Sequence, residues 1–472
     1  MTPVARLVFP ALRWRRRTGF DDERLRIERT LELGVGGYIF FGGTADAASA
    51  LIREIQAAAP HPLLFAADFE RGVGQQFTDR TQLPPPAALG FLGKPELTAR
   101  GGQITACQAR QVGINWVYAP VADLDVEPNN PIVQTRSFGD LPDQVGGHVG
   151  AWIRAAEAEG VATSAKHYPG HGRTTADSHE TLPRVDAPLD ILAASDLKPF
   201  ADGIAAGTRS VMCAHVAYPA WDSSGLPASL SAPVLRHLRT ALGFDGVIVT
   251  DALIMEGVLR GRGAAGAVVA AVTAGADALL YPQDAEAVVK ALDAAAGKAL
   301  PSARVDDALA RIARLVEAVS GPASSAPDLA EDGAFADALA DMTLHVLRGE
   351  ALGLVQPLEI VMVDDDVGGP YAVGPRDLLQ RRLAELGVRM GRGGSRILLV
   401  YSEPRSWKGR AMLGDRSLGA IRRAAPTTAL VILFGHPRLE AQLEGTTPVL
   451  CAWHGQPLMQ HAAARWVAAR LG

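Results

Sequence analysis

The chain has 472 residues, long for a single core, and at ~100–200 residues per domain it divides into two or more. Hydrophobic residues make up 48% and charged ones 21%, which excludes wholesale disorder, and a net charge of −5 offers no field that draws nucleic acid or an anionic membrane. Cys107, Cys213 and Cys451 are far apart, without CxxC or Cys/His spacing, so neither a disulfide framework nor a zinc site is expected. The apolar stretch Val4–Leu12 contains Arg6 and Pro10, is followed by basic residues and is too short to cross a bilayer, so a cytoplasmic protein without membrane contact is expected.

Eight short apolar runs precede residue 285: Val4–Phe9, Gly37–Phe41, Leu63–Ala67, Ile114–Ala119, Ala162–Lys166, Ser210–His215, Gly246–Thr250 and Ala278–Tyr281. Between them lie Ala/Leu/Glu/Arg-rich segments with helical spacing, among them Ala45–Ala59, Leu97–Val112, Gln144–Glu159, Asp196–Ala206 and Ala232–Leu242. Such β/α alternation implies a parallel sheet with right-handed crossovers, and eight units fit a closed (β/α)8 TIM-type barrel over residues 1–320. An open doubly wound sheet would want a GxGxxG turn after its first strand; Gly34, Gly36 and Gly37 instead precede the second strand and read as a helix C-cap. Residues 321–333 gather Ser, Pro, Gly and Asp as linkers do. Beyond them, Leu358–Val363, Ile397–Tyr401, Ala429–Phe434 and Val449–Ala452 read as buried strands of a smaller α/β sandwich domain, 334–472. That domain is expected to be structural, its Asp364-Asp365-Asp366 run a solvated strand end.

A barrel of this kind carries its site at the C-terminal ends of the strands. The third run ends in Asp68-Phe69-Glu70-Arg71-Gly72, the fourth leads to Asp123, Asp125 and PNNPIVQTRSFG, and the fifth ends in Lys166-His167 and opens YPGHGRTTADSHETLP. The sixth delivers His215 and the seventh Asp251. By position alone Asp251 is either a nucleophile at the barrel mouth or the N-cap of the next helix. Asp177 and His179, two apart in a glycine-rich loop, can share a hydrogen bond in which the carboxylate orients the imidazole as a proton donor. With six lysines against 40 arginines, Lys166 stands out; with Asp68, Arg136 and His167 it makes a cradle for several hydroxyls. Neither HExxH nor a 2-His-1-carboxylate spacing is present, so a metal-dependent hydrolase ranks low, and no cofactor is expected.

The stretches KHYPGHGRTTADSH and GVIVTDAL, with NWVYAPVADLDVEPNNPIVQTRSFG and ADFERG, together resemble the β-N-acetylglucosaminidases of glycoside hydrolase family 3 across most of residues 1–320. The resemblance implies a retaining mechanism in which Asp251 attacks the anomeric carbon while His179, oriented by Asp177, protonates the leaving oxygen and later activates water. It assigns substrate contacts to Asp68, Arg136, Lys166 and His167, and implies a terminal β-linked N-acetylglucosamine from cell-wall muropeptides as substrate. Two departures stand out. Gln76 occupies a place where the family pattern usually has Arg, and Arg71-Gly72 replaces the glycine pair of the D-x-E-G-G element. Phosphorolysis or β-glucosidase activity within the same family, and a catalytically silent sugar-binding barrel outside it, are the alternatives.

Overall fold

The computed structural model describes residues 2–176, 182–259, 263–321, 326–350, 353–369 and 373–471. Barrel strands β1 (Val8–Phe9), β2 (Ala11–Arg13), β3 (Gly37–Phe41), β4 (Leu64–Ala67), β5 (Trp116–Val117), β6 (Ala162–Tyr168), β7 (Ser210–Cys213), β8 (Val247–Thr250) and β9 (Leu279–Leu280) appear in chain order. From β2 to β8 each strand pairs in parallel with the next. Closure comes from β9, which pairs with β1 through Val8↔Leu279 and Phe9↔Leu280 and meets β8 at the Val249↔Ala278 bridge. The first run is split because Pro10 has no N–H to give the ladder: Pro3–Leu7 forms a 3-10 turn, and strand pairing starts at Val8 and resumes at Ala11. Gly34 caps the helix Arg24–Leu33 with a left-handed φ of 84°, its N–H returning to Thr30 and Leu31, so the glycine group is a helix terminus.

The observed helices Ala45–Ala58, Pro95–Val112, Pro142–Ala158, Lys198–Ala205 and Ala232–Thr240 match the segments read from spacing to within a few residues. Each turns an apolar face onto the barrel, whose interior holds Trp116 edge-on to Phe9 at 5.3 Å between ring centroids. The indole N–H of Trp116 donates to Ser210 Oγ at 2.7 Å, so this deeply buried ring leaves no donor unsatisfied.

Part of the stretch read as linker is helical. Asp328 Oδ1 accepts the N–H groups of Ala330 and Glu331, both at 3.0 Å, and the helix Leu329–Thr343 starts there. It leads into a five-stranded sheet ordered β10 (His345–Arg348), β14 (Val449–Cys451), β13 (Leu430–Gly435), β12 (Arg396–Ser402) and β11 (Glu359–Asp364). All pairings are parallel except β10 against β14. β10 escaped the sequence reading because its HVLR is short, polar at both ends and only half-buried. Along β12, Leu398 and Val400 enter one apolar layer while Ile397, Leu399 and Tyr401 enter the other, as the two-residue period of a sheet covered on both faces requires.

The run Asp364–Asp366 is not a solvated strand end. Asp366, 1% exposed, accepts from Arg376 Nη2 at 2.9 Å, Lys408 Nζ at 3.1 Å and the Glu403 N–H at 3.0 Å. Asp365 accepts from Arg410 Nη2 at 3.0 Å and Ser417 Oγ at 2.6 Å and pairs with Lys408. Buried carboxylates persist only with such partners, and here these come from four later segments.

The second domain sits on the C-terminal face of the barrel. Arg438 Nη1 donates to Asp125 Oδ1 at 3.1 Å, His436 Nε2 lies 2.9 Å from Asp125 Oδ2, and Gln456 Nε2 donates to Leu83 O at 2.6 Å. Ala87 and Ala88 of the barrel share an apolar cluster with Trp453 and Met459.

Candidate active site

A cavity of ≈ 410 Å³ opens at the mouth of the barrel, lined by Asp68, Glu70, Arg136, Lys166, His167, His171 and Asp251 among others. Each comes from the last residues of a strand, as Lys166 and His167 of β6 do, or from the segment that follows one, the geometry the barrel rule predicts. In the extended segment after β4, Asp68 and Glu70 are two apart and both turn toward Lys166, whose Nζ lies 2.7 Å from Asp68 Oδ1 and 2.7 Å from Glu70 Oε1. Arg136 grips Glu70 with two parallel bonds, Nε to Oε2 at 3.0 Å and Nη2 to Oε1 at 2.7 Å. Burial alone would raise the Glu70 carboxyl, but Arg136 and Lys166 outweigh it and hold it well below the usual range. Burial likewise opposes the Lys166 ammonium, yet Asp68 and Glu70 bring its pKa above the ordinary lysine value.

Arg136 ends a 3-10 turn, Gln134–Arg136, in the loop after β5. Asn130 shapes that loop: its Oδ1 accepts the N–H groups of Ile132 and Val133 at 2.9 and 2.8 Å, while its Nδ2 donates to His171 O at 2.9 Å. The PNNP stretch therefore ties two active-site loops together. Asp123 is the second tie. Its Oδ1 accepts the N–H of His167 at 3.1 Å and of His171 at 2.6 Å, and its Oδ2 faces His167 Nδ1 at 2.7 Å. Burial would raise Asp123, and the charges of His167 and His171 bring it below the usual carboxylate range. Burial lowers His171 to about 4, so its imidazole is neutral at neutral pH.

Asp251 follows β8 directly, with its N–H on Cys213 O at 3.1 Å and its Oδ1 accepting the Ala252 N–H at 2.7 Å. The next helix begins at Glu256, so Asp251 is not that helix's N-cap; it lines the cavity. His215 is tied to Ser229 Oγ at 2.7 Å and Ala252 O at 3.2 Å, beneath the Asp251 turn. Asp177 and His179 lie outside the described residues. Among the described residues no group of three His, Cys, Asp or Glu side chains is placed to hold a metal ion.

Glu70 and Asp123 were visible at strand ends but carried no role in the sequence reading; the i, i+2 spacing of Asp68 and Glu70 in extended backbone was the available signal. Sequence reasoning missed the far wall, where Glu403, Pro404, Arg405 and His454 of the second domain line the same cavity. Gln76 lines it too, accepting the Gly42 N–H at 3.1 Å.

Residues 21–315, more than half of the chain, match the family model described as Glycosyl hydrolase family 3 N terminal domain. The chain belongs to glycoside hydrolase family 3. It is 37% identical over 287 residues to a Beta-hexosaminidase of Thiobacillus denitrificans, covering 58% of this chain and 78% of that one. It is 36% identical over 257 residues to a Beta-hexosaminidase of Xanthomonas campestris, covering 53% and 76%. A family 3 beta-N-acetylglucosaminidase structure from Paenibacillus is 27% identical, with a TM-score of 0.85 over 100% of this chain and 96% of that one. A beta-glucoside phosphorylase shares the fold at a TM-score of 0.86 with 20% identity, covering 100% of this chain and 92% of that one. This family 3 protein is a glycosidase acting on β-linked sugars, built as a barrel with a second α/β domain. Among its described residues no helix is long and apolar enough to cross a membrane.

Proposed function

We propose that this glycosidase is a retaining β-N-acetylhexosaminidase that removes terminal β-linked N-acetylglucosamine. The observation that carries the reading is that Asp251 shares one cavity with the Asp68–Lys166–Glu70–Arg136 network and the Asp123-held His167. The network offers charged acceptors and donors for sugar hydroxyls below the point where a carboxylate can reach C1. The names of the Thiobacillus and Paenibacillus relatives support the choice of sugar.

In this reading Asp251 bonds through one oxygen to C1 as the C1–O bond to the aglycone breaks, and His179, oriented by Asp177, gives its proton to the departing oxygen. In the second step His179 takes a proton from water, whose oxygen bonds to C1 and releases the Asp251 carboxylate. Two inversions at C1 leave the product in the β configuration. Asp68, Arg136, Lys166 and His167 hold the sugar, and the substrate is a cell-wall fragment in the cytoplasm.

The test is trapping with a 2-fluoro glycosyl donor followed by peptide mapping. Label on Asp251, and a fall of at least ~10³ in kcat for Asp251→Ala on a chromogenic N-acetylglucosaminide, are expected. Label on another residue overturns the assignment. A sugar 1-phosphate as the dominant product in inorganic phosphate overturns hydrolysis.

A further inference from the structure

Arg71 stands between the two domains as a half-buried cation. Its Nη1 donates to Gln456 Oε1 at 2.9 Å and His454 Nδ1 at 3.0 Å, and its N–H to Gln75 Oε1 at 2.9 Å, all neutral acceptors. Burial, with Arg71 adding to it, pushes the His454 imidazole well below its ordinary value, so it carries no charge at neutral pH. Among the described residues no carboxylate stands at ion-pair distance from the Arg71 guanidinium. The two carboxylates whose field it feels are already engaged. Glu70 is held by Arg136 and Lys166. Glu403 accepts from Arg376 Nη1 at 3.1 Å, Arg405 Nη2 at 2.6 Å and the Gly455 N–H at 2.9 Å.

Arg71 and Arg405 line both the main cavity and a side groove of ≈ 210 Å³ that runs between the domains. Of the guanidiniums facing that groove, Arg376 is paired with Asp364, Asp366 and Glu403 and Arg405 with Glu403, which leaves Arg71 as the one of the three with no carboxylate at ion-pair distance. Arg405 Nε is buried and has no hydrogen-bond partner. Arg71, half-buried among neutral acceptors, and Arg405, with its Nε unpartnered beside Glu403, keep donors to spare, and a bidentate carboxylate is the group whose geometry answers a guanidinium. Asp68, Lys166 and Arg136 line the main cavity but not the groove, and the two meet at Arg71, Gln75, Glu403, Arg405 and His454.

We propose that Arg71 and Arg405 form an anion-binding subsite on the leaving-group side of the cavity, selecting glycosides whose aglycone carries a carboxylate. The inference rests on the hydrolase reading only for the identity of the sugar. It also gives a role to Arg71, which departs from the family's glycine, and to the second domain, which supplies Arg405 and positions His454 and Gln456.

The test uses the full chain and two matched substrates, the β-N-acetylglucosaminides of 4-hydroxybenzoate and of its methyl ester. The ratio of kcat/KM for acid over ester is expected to fall roughly tenfold in Arg71→Gln and in Arg405→Gln, mostly through KM. Circular dichroism melts of both variants separate a folding defect from a loss of acid preference. Equal losses on acid and ester overturn the subsite and leave Arg71 a structural residue. Titration of Asp251→Ala with the same pair reads the preference without turnover. If neither glycoside is cleaved but the acid still binds more tightly, and this advantage disappears with Arg71→Gln, the hydrolase reading fails and the subsite stands. Formation of N-acetylglucosamine 1-phosphate that depends on Arg71 would give the cation to free phosphate and overturn the aglycone assignment.

Discussion

Replacing Glu70 by Gln tests whether the charge network holds the site together. The carboxylate is 5% exposed, takes two bonds from Arg136 and stands 2.7 Å from Lys166 Nζ. Gln keeps the shape but leaves Arg136 without its carboxylate and turns an N–H2 toward buried cations. Removing one partner of a buried ionic group costs about 3–5 kcal/mol, here mostly from the cations left behind. In the barrel's melting transition this corresponds to a drop of roughly 5–10 °C at pH 7. The pH dependence has a definite sign. The folded Glu70 carboxyl lies well below the ordinary 4.5, so its contribution is complete above about 4.5 and fades as pH falls toward the folded value. The gap in melting temperature between wild type and Glu70→Gln should therefore be full at pH 7 and narrow below about pH 4.5. Circular dichroism melts at several pH values read both effects. A variant melting within about 1 °C of wild type at pH 7 would refute the account of Glu70 as the pivot between Lys166 and Arg136.

Asp123→Asn should keep the fold but lower kcat on order of 10²-fold, because Oδ1 can go on accepting the His167 and His171 N–H groups while the amide nitrogen cannot accept from His167 Nδ1 where Oδ2 does at 2.7 Å. Steady-state kinetics with a chromogenic N-acetylglucosaminide check it; a kcat equal to wild type would show that His167 needs no such anchor. Arg438→Ala should cost about 1–3 kcal/mol at the domain interface, since Asp125 loses its guanidinium and keeps the His436 ring at 2.9 Å. Calorimetry should then show the two domains melting further apart, and an unchanged thermogram would mean that the apolar contact of Ala87 and Ala88 with Trp453 and Met459 carries the docking.

Much of the barrel could be read from the chain. Runs such as Gly246–Thr250 are apolar enough to be buried on both faces, and a closed barrel aims every strand's C-terminal end at one mouth. Asp68, Lys166, His167 and Asp251 could thus be assigned to one cavity from strand position alone, and the structure places them there, with Arg136 reached through the following loop. The split first strand was less legible, since Val4–Phe9 has a strand's apolarity and only Pro10 betrays the break. β10 lacked any pattern, because an antiparallel edge strand half-exposed to water needs no apolar run.

Local spacing also misread Asp364–Asp366 as solvated, since its partners Arg376, Lys408 and Arg410 lie too far along the chain to be paired with it by inspection. The far wall of the cavity had the same character. Glu403, Arg405 and His454 meet Arg71 across more than 300 residues of sequence. Strand periodicity is a property of neighbours in the chain, so the chain determined the barrel, its polarity and the residues at its mouth. Which charges are compensated depends on neighbours in space, so only the tertiary structure decided that Arg136 and Lys166 neutralise Glu70, that Arg376 and Arg405 neutralise Glu403, and that Arg71 meets the neutral His454 and Gln456 of the second domain.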